Sequence, residues 1–132
     1  PDTAYVQASA DIYKNFDKSR IVLMSLMNFD PEQEDAYALD LLRQRSLFKD
    51  LAVQAAAAQD DVLLSHDNRT VQLAADLELI LRQIANLEDP QDPQNIKLIQ
   101  SAVEQKDILF RLSLLNIRRQ RMAAPASINP VI

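Results

Sequence analysis

The 132-residue sequence has no glycine, no cysteine and no tryptophan, and it has a single histidine. Each absence removes a class of structure or chemistry. Hairpin turns, bulges and phosphate-cradling loops rely on glycine for positive φ or close backbone approach, so a glycine-free chain is poorly suited to sheets and nucleotide loops. Without cysteine there are no disulfides, thiol nucleophiles or thiolate metal sites, and the compartment is left open. With His66 alone, flanked three residues away by Leu63 and Arg69, the Glu-x-x-His pairs of di-iron bundles are missing. Zinc-hydrolase signatures, which need two histidines on one helix, are missing too. No metal, no cofactor and no hydrolytic triad is legible, and the chain is expected not to be an enzyme.

Long apolar runs are also lacking. The longest, Ile21-Val22-Leu23-Met24, is far short of the roughly 20 residues that span a bilayer. The chain opens Pro1-Asp2-Thr3, with neither a secretory signal nor an initiator Met, and reads as a fragment of a longer protein. A net charge of −5 argues against nucleic acid as the main partner.

What is present is helical. Apolar residues make up 48% of the chain and charged residues 25%, a globular composition of one domain's length, rich in Ala, Leu, Gln and Arg. The spacing predicts four amphipathic helices. Tyr5, Ser9, Ile12, Phe16, Ser19, Leu23 and Leu26 repeat every three to four residues along the first, which should end near Asn28. Asp30-Pro31 then stops one helix and caps the next, with Glu32 and Glu34 at its positive end. The second helix should run from about Glu32 into the early sixties and bury Leu41, Phe48, Leu51, Ala52, Ala55, Ala58 and Val62. The break after it is placed at residues 65–70, with Asp60-Asp61 as the alternative. The third helix, Val71 to Leu87 and capped by Asn68 or Thr70, carries Leu73, Leu77, Ile80, Leu81, Ile84 and Leu87 on one side. After a Pro90/Pro93 turn, the fourth runs from Asn95 to Met122. Its stripe is Ile96, Ile99, Val103, Phe110, Leu114 and Ile117, widened by Leu98, Ala102, Leu109, Leu112 and Leu115. The expected fold is an all-α, antiparallel up-down-up-down four-helix bundle over residues 1–122, with an extended or disordered tail at 123–132. On that reading, Leu81→Ala and Phe110→Ala should each cost about 2–5 kcal/mol.

Candidate sites are few. Arg118, Arg119 and Arg121 form the one basic cluster, a possible interaction surface. Cations near a helix end also complement its dipole and cover apolar neighbours; a phosphate or lipid surface is the alternative. The acidic pairs at helix ends read as caps rather than as acid–base catalysts. His66 reads as a loop residue whose titration is the sole hint of a pH switch. Asn68-Arg69-Thr70 matches a glycosylation acceptor. Tyr5, Tyr13 and Tyr37 fit the rim of a core or an interface.

Arg20 to Asn28, Ala38 to Leu42, Asp76-Leu77-Glu78 with Leu81, Ile84, Ala85 and Asn86, and Ile108 to Leu112 together resemble a helical region of bacterial single-span membrane proteins of the anti-sigma-factor type. In that family a zinc-finger-like head lies in the cytoplasm and the helical region lies outside the membrane. The likeness runs from about Ala4 to Arg119, and its motifs are packing patterns. It implies a non-catalytic, extracytoplasmic (periplasmic) sensory or protein-interaction domain in a membrane-anchored parent chain, regulating a sigma factor. The head has no counterpart here. The alternative is a cytoplasmic oligomerisation or adaptor domain. A protein partner or self-association is expected in either case, and no small-molecule substrate is legible.

Overall fold

A computed structural model describes the backbone of residues 2–30, 32, 36–61, 67–90 and 92–123, and the side chains of 10–30, 32, 39–61, 67–90 and 92–118. The described residues are all-helical: α1 Asp2–Met27, α2 Ala36–Arg43, α3 Arg45–Gln59, α4 Asn68–Ala85, α5 Pro93–Gln105 and α6 Ile108–Ala123. Six helices appear where four were expected because two of the predicted rods are broken. The second breaks at Gln44, whose ψ of 66° leaves the helical region. The fourth breaks at Asp107, whose φ is 51°.

Two other boundaries move. α3 stops at Gln59 with Asp60 at its end, so the break opens at Asp60-Asp61, the alternative position, ahead of 65–70. α4 begins at Asn68, and its cap is Asp67 rather than Asn68 or Thr70. Tyr5, Ser9 and Tyr37 as side chains, together with Pro31, Glu34, Val62, His66 and the tail at 124–132, lie outside the described residues.

The core grows from α3 and α4. α3 buries Phe48, Leu51, Ala52, Ala55 and Ala58, while α4 buries Leu73, Ala74, Leu77, Ile80, Leu81, Ile84 and Ala85. Small side chains on both faces let the backbones come close, and this pairing is the most extensive in the fold. Arg45, opening α3, donates to the Leu87 carbonyl just beyond α4 at 2.6 Å, and Gln59, closing α3, donates to Glu78 at 2.8 Å. The two helices therefore run in opposite directions. α1 packs on α3, α5 and α6 and contributes Phe16, Ser19, Leu23 and Leu26, as its seam predicts. The carbonyls of Leu26 and Phe29, at the end of α1, accept from the Gln100 amide at 3.0 and 2.8 Å. One α5 side chain thus satisfies acceptors that the helix end leaves over.

The Asp107 break changes which face of α6 is buried. The Lys106 and Asp107 amides close α5 on Ala102 and Glu104, and the Asp107 carbonyl then accepts from Arg111 to open α6. A left-handed residue at this position is a common helix terminator. It also turns the following helix out of phase. Ile96, Ile99 and Val103 are buried as expected, but beyond the break the core takes Ile108, Leu112 and Leu115. Phe110, Leu114 and Ile117, expected inside, are 64%, 42% and 45% exposed, and Leu98 also faces outward.

Urea unfolding should separate the two stripes. Leu81, fully buried, should lose about 2–5 kcal/mol on change to Ala. Phe110→Ala should stay within about 0.5 kcal/mol of wild type, as exposed positions do. If Asp107 holds its strained φ, Asp107→Gly should add about 0.5–1 kcal/mol; a loss of stability would show that the aspartate is favoured there.

Candidate functional site: an arginine-lined cleft between α4 and α6

The first turn of α4 and the middle of α6 enclose a cleft of about 420 Å³. On the α4 side, Asp67 caps the helix. Its carboxylate accepts from the Arg69 amide at 3.1 Å and from the Thr70 hydroxyl at 3.0 Å. Thr70 and Leu73, one turn apart, then face inward. On the α6 side, Arg111, Leu114, Leu115 and Arg118 stand at i, i+3, i+4 and i+7, and all four line the cleft. The walls are therefore mixed: Leu73, Leu114 and Leu115 stand beside Arg69, Arg111 and Arg118.

These cations are not equivalent. Arg111 donates to Asp76 at 2.8 Å and to the Lys106 carbonyl at 3.0 Å, and Lys106 itself stands 3.6 Å from Asp76. This partly buried knot ties α6 to α4. Arg69 and Arg118 approach Asp67 only to 3.9 and 4.0 Å, too far for a hydrogen bond.

The carboxylates of α4 and its cap are held ionised. Burial pushes the Asp76 carboxyl up, but hydrogen bonds from Arg111 and Gln72 and the charges of Lys106 and Arg111 outweigh it, leaving it below its ordinary value. Burial likewise raises Asp67, and the Thr70 hydroxyl, the Arg69 and Thr70 amides and the Arg118 charge bring it below. Glu78 is lowered chiefly by its hydrogen bonds from Arg82 and Gln59. A carboxyl that trades protons near neutral pH needs the opposite shift. These three act as fixed negative partners. Among the described residues no group of three or more acidic or histidine side chains is placed to hold a metal.

No family model matches this sequence, and no curated protein or solved structure is significantly similar to it.

Of the predicted basic cluster, Arg118 lines the cleft, while the side chains of Arg119 and Arg121 lie outside the described residues. The structure adds Arg69 and Arg111, which the linear cluster does not contain. The spacing of 111, 114, 115 and 118 was a usable signal for one face. The α4 half of the cleft, residues 68–73, lies far earlier in the chain and was not signalled. The Asn68-Arg69-Thr70 motif forms the first turn of α4.

The ion-pair knot gives a signed pH dependence. Folded Asp67, Asp76 and Glu78 hold protons less tightly than in the unfolded chain. Falling pH therefore protonates the unfolded state first and drains stability. The melting temperature should be flat above about pH 5 and fall toward about pH 3. Asp76→Asn should cost about 1–3 kcal/mol at pH 7 and make that decline shallower; an unchanged slope would mean that the knot contributes nothing.

Proposed function

We propose that this chain is a non-catalytic helical interaction domain that presents the outer face of α6 to a protein. The supporting observation is the row of Phe110, Leu114 and Ile117 on a helix whose other face is already committed to the core. Single exposed apolar side chains are ordinary on a folded surface. Three at i, i+4 and i+7 share one line, the anchor spacing by which helices meet grooves and other helices.

The resemblance to anti-sigma-type proteins supports a fuller version. The domain then stands outside the membrane of a bacterial single-span protein as its sensory element, and a partner that favours one helix packing over another shifts the signal. α1, the longest helix, carries that change toward an anchor in the parent chain. Among the described residues no helix is long and apolar enough to cross a membrane, so this version places the anchor elsewhere in the parent. The six helices then act as four rods, α2–α3 and α5–α6 each counting as one bent rod, in an up-down-up-down bundle. The opposed directions of α3 and α4 support that arrangement.

The same row favours a second reading, in which α6 pairs with α6 of another copy and the domain is a cytoplasmic oligomerisation or adaptor module. A photo-reactive residue in place of Ile117, irradiated in the native cell, distinguishes the two. The first reading expects coupling to one discrete different protein, abolished by Phe110→Ser at unchanged melting temperature. Coupling to a second copy alone establishes the oligomer. Coupling no greater than from Val53, an exposed apolar position on α3, refutes both.

A further inference from the structure

We infer that the cleft between α4 and α6 is a binding site for an amphipathic carboxylate, a single alkyl chain carrying one oxyanion. The site goes beyond the protein-docking role of the α6 row and does not require it.

Size comes first. About 420 Å³ lies within the roughly 300–1,000 Å³ of small-molecule sites. A cavity of about 150 Å³ already accepts benzene, so this one admits a chain on the order of eight carbons. Chemistry comes second. Leu73, Leu114 and Leu115 form an apolar lining beside three arginines, and among the described residues no Asp or Glu lines the cavity. An inorganic anion would leave the leucines wet, and a hydrocarbon would leave the guanidinium groups of Arg69 and Arg118 sharing the single charge of Asp67. One molecule with both parts satisfies both walls.

The available donors decide the head group. Asp67 already occupies the Arg69 amide and the Thr70 hydroxyl, so the amino end of α4 is not the attraction. Arg111 is engaged by Asp76 and the Lys106 carbonyl. Arg69 and Arg118 are 83% and 43% exposed at the side chain, and among the described residues their ion-pair approaches are to Asp67, at 3.9 and 4.0 Å. Both approach the carboxylate of Asp67, one at each oxygen, so they converge at the amino end of α4 while each keeps N–H groups for one further carboxylate. The local excess of cations stands out against a chain of net charge −5, which otherwise repels anions.

Calorimetric titration with sodium octanoate, matched against 1-octanol, tests the site. Octanoate should bind saturably at one per chain, and octanol at least about tenfold more weakly. The double variant Arg69→Gln/Arg118→Gln should lose about tenfold or more in octanoate affinity while keeping a cooperative thermal melt, with octanol unaffected. Amide NMR shifts should concentrate at residues 68–73 and 111–118. Equal affinity for octanol, an unaffected double variant, shifts centred elsewhere, or no saturable binding would each overturn the assignment. Binding to phosphatidylglycerol vesicles in the absence of octanoate binding would also overturn it, in favour of a membrane surface. Loss of the Ile117 cross-link would leave these measurements unchanged, so the two proposals fail separately.

Discussion

The close approach of α3 to α4 is the constraint on which the rest of the molecule depends. Ala52, Ala55 and Ala58 on one helix and Ala74 and Ala85 on the other are buried with almost no exposure. Their small side chains bring the two backbones near enough for Phe48, Leu77, Ile80, Leu81 and Ile84 to fill the space around them. A glycine would allow the same approach but would lower helix propensity by about 1 kcal/mol. Alanine gives proximity and helix together. This explains how a glycine-free chain builds a tight seam, and every other long helix rests on one side of it: α1 on α3, α5 and α6 on α4.

The second constraint is a single backbone angle. Had residues 95–122 formed one rod, Phe110, Leu114 and Ile117 would have continued the face of Ile99 and Val103, and Arg111 would have pointed elsewhere. With Asp107 at positive φ, Ile108, Leu112 and Leu115 turn inward and Arg111 reaches Asp76 at 2.8 Å. The rotation that attaches α6 to α4 by an ion pair also turns an apolar row outward. The attachment and the exposed row have one origin, so neither can be removed without disturbing the other.

Most of the fold was readable from periodicity because burial enforces it. Leu73, Leu77, Ile80, Leu81 and Ile84 form so regular a stripe that no other element type could bury them together. The seams of α1 and α3 were legible for the same reason. The errors fall where periodicity carries no information. Nothing at Gln44 or Lys106-Asp107 marks a break as proline or glycine would, and both flanking stretches remain apolar at helical spacing when read straight through. Asp67 as the cap of α4 was obscured by Asn68 and Thr70, which have equal capping chemistry; hydrogen-bond geometry separates them. The cleft was half visible. Arg118 lay in a run of arginines, but its companions Arg69 and Arg111 are isolated in the sequence, and only the packing of α6 on α4 brings them together.

Leu114 belongs to both surfaces. It is the middle residue of the outward row and one wall of the cleft. An alkyl chain lodged against Leu73 and Leu115 would cover part of the leucine that a partner on α6 would also need. Binding at either place then alters affinity at the other by the same factor, since coupling free energies are reciprocal. The sign depends on geometry. A chain buried deep against α4 would steady α6 and favour the partner, and one lying across Leu114 would compete with it. The Asp76–Arg111 knot favours the former: it fixes the first turn of α6 against α4 at one end of the cleft, leaving the segment beyond Leu114, with Ile117 and Arg118, as the part a ligand would steady.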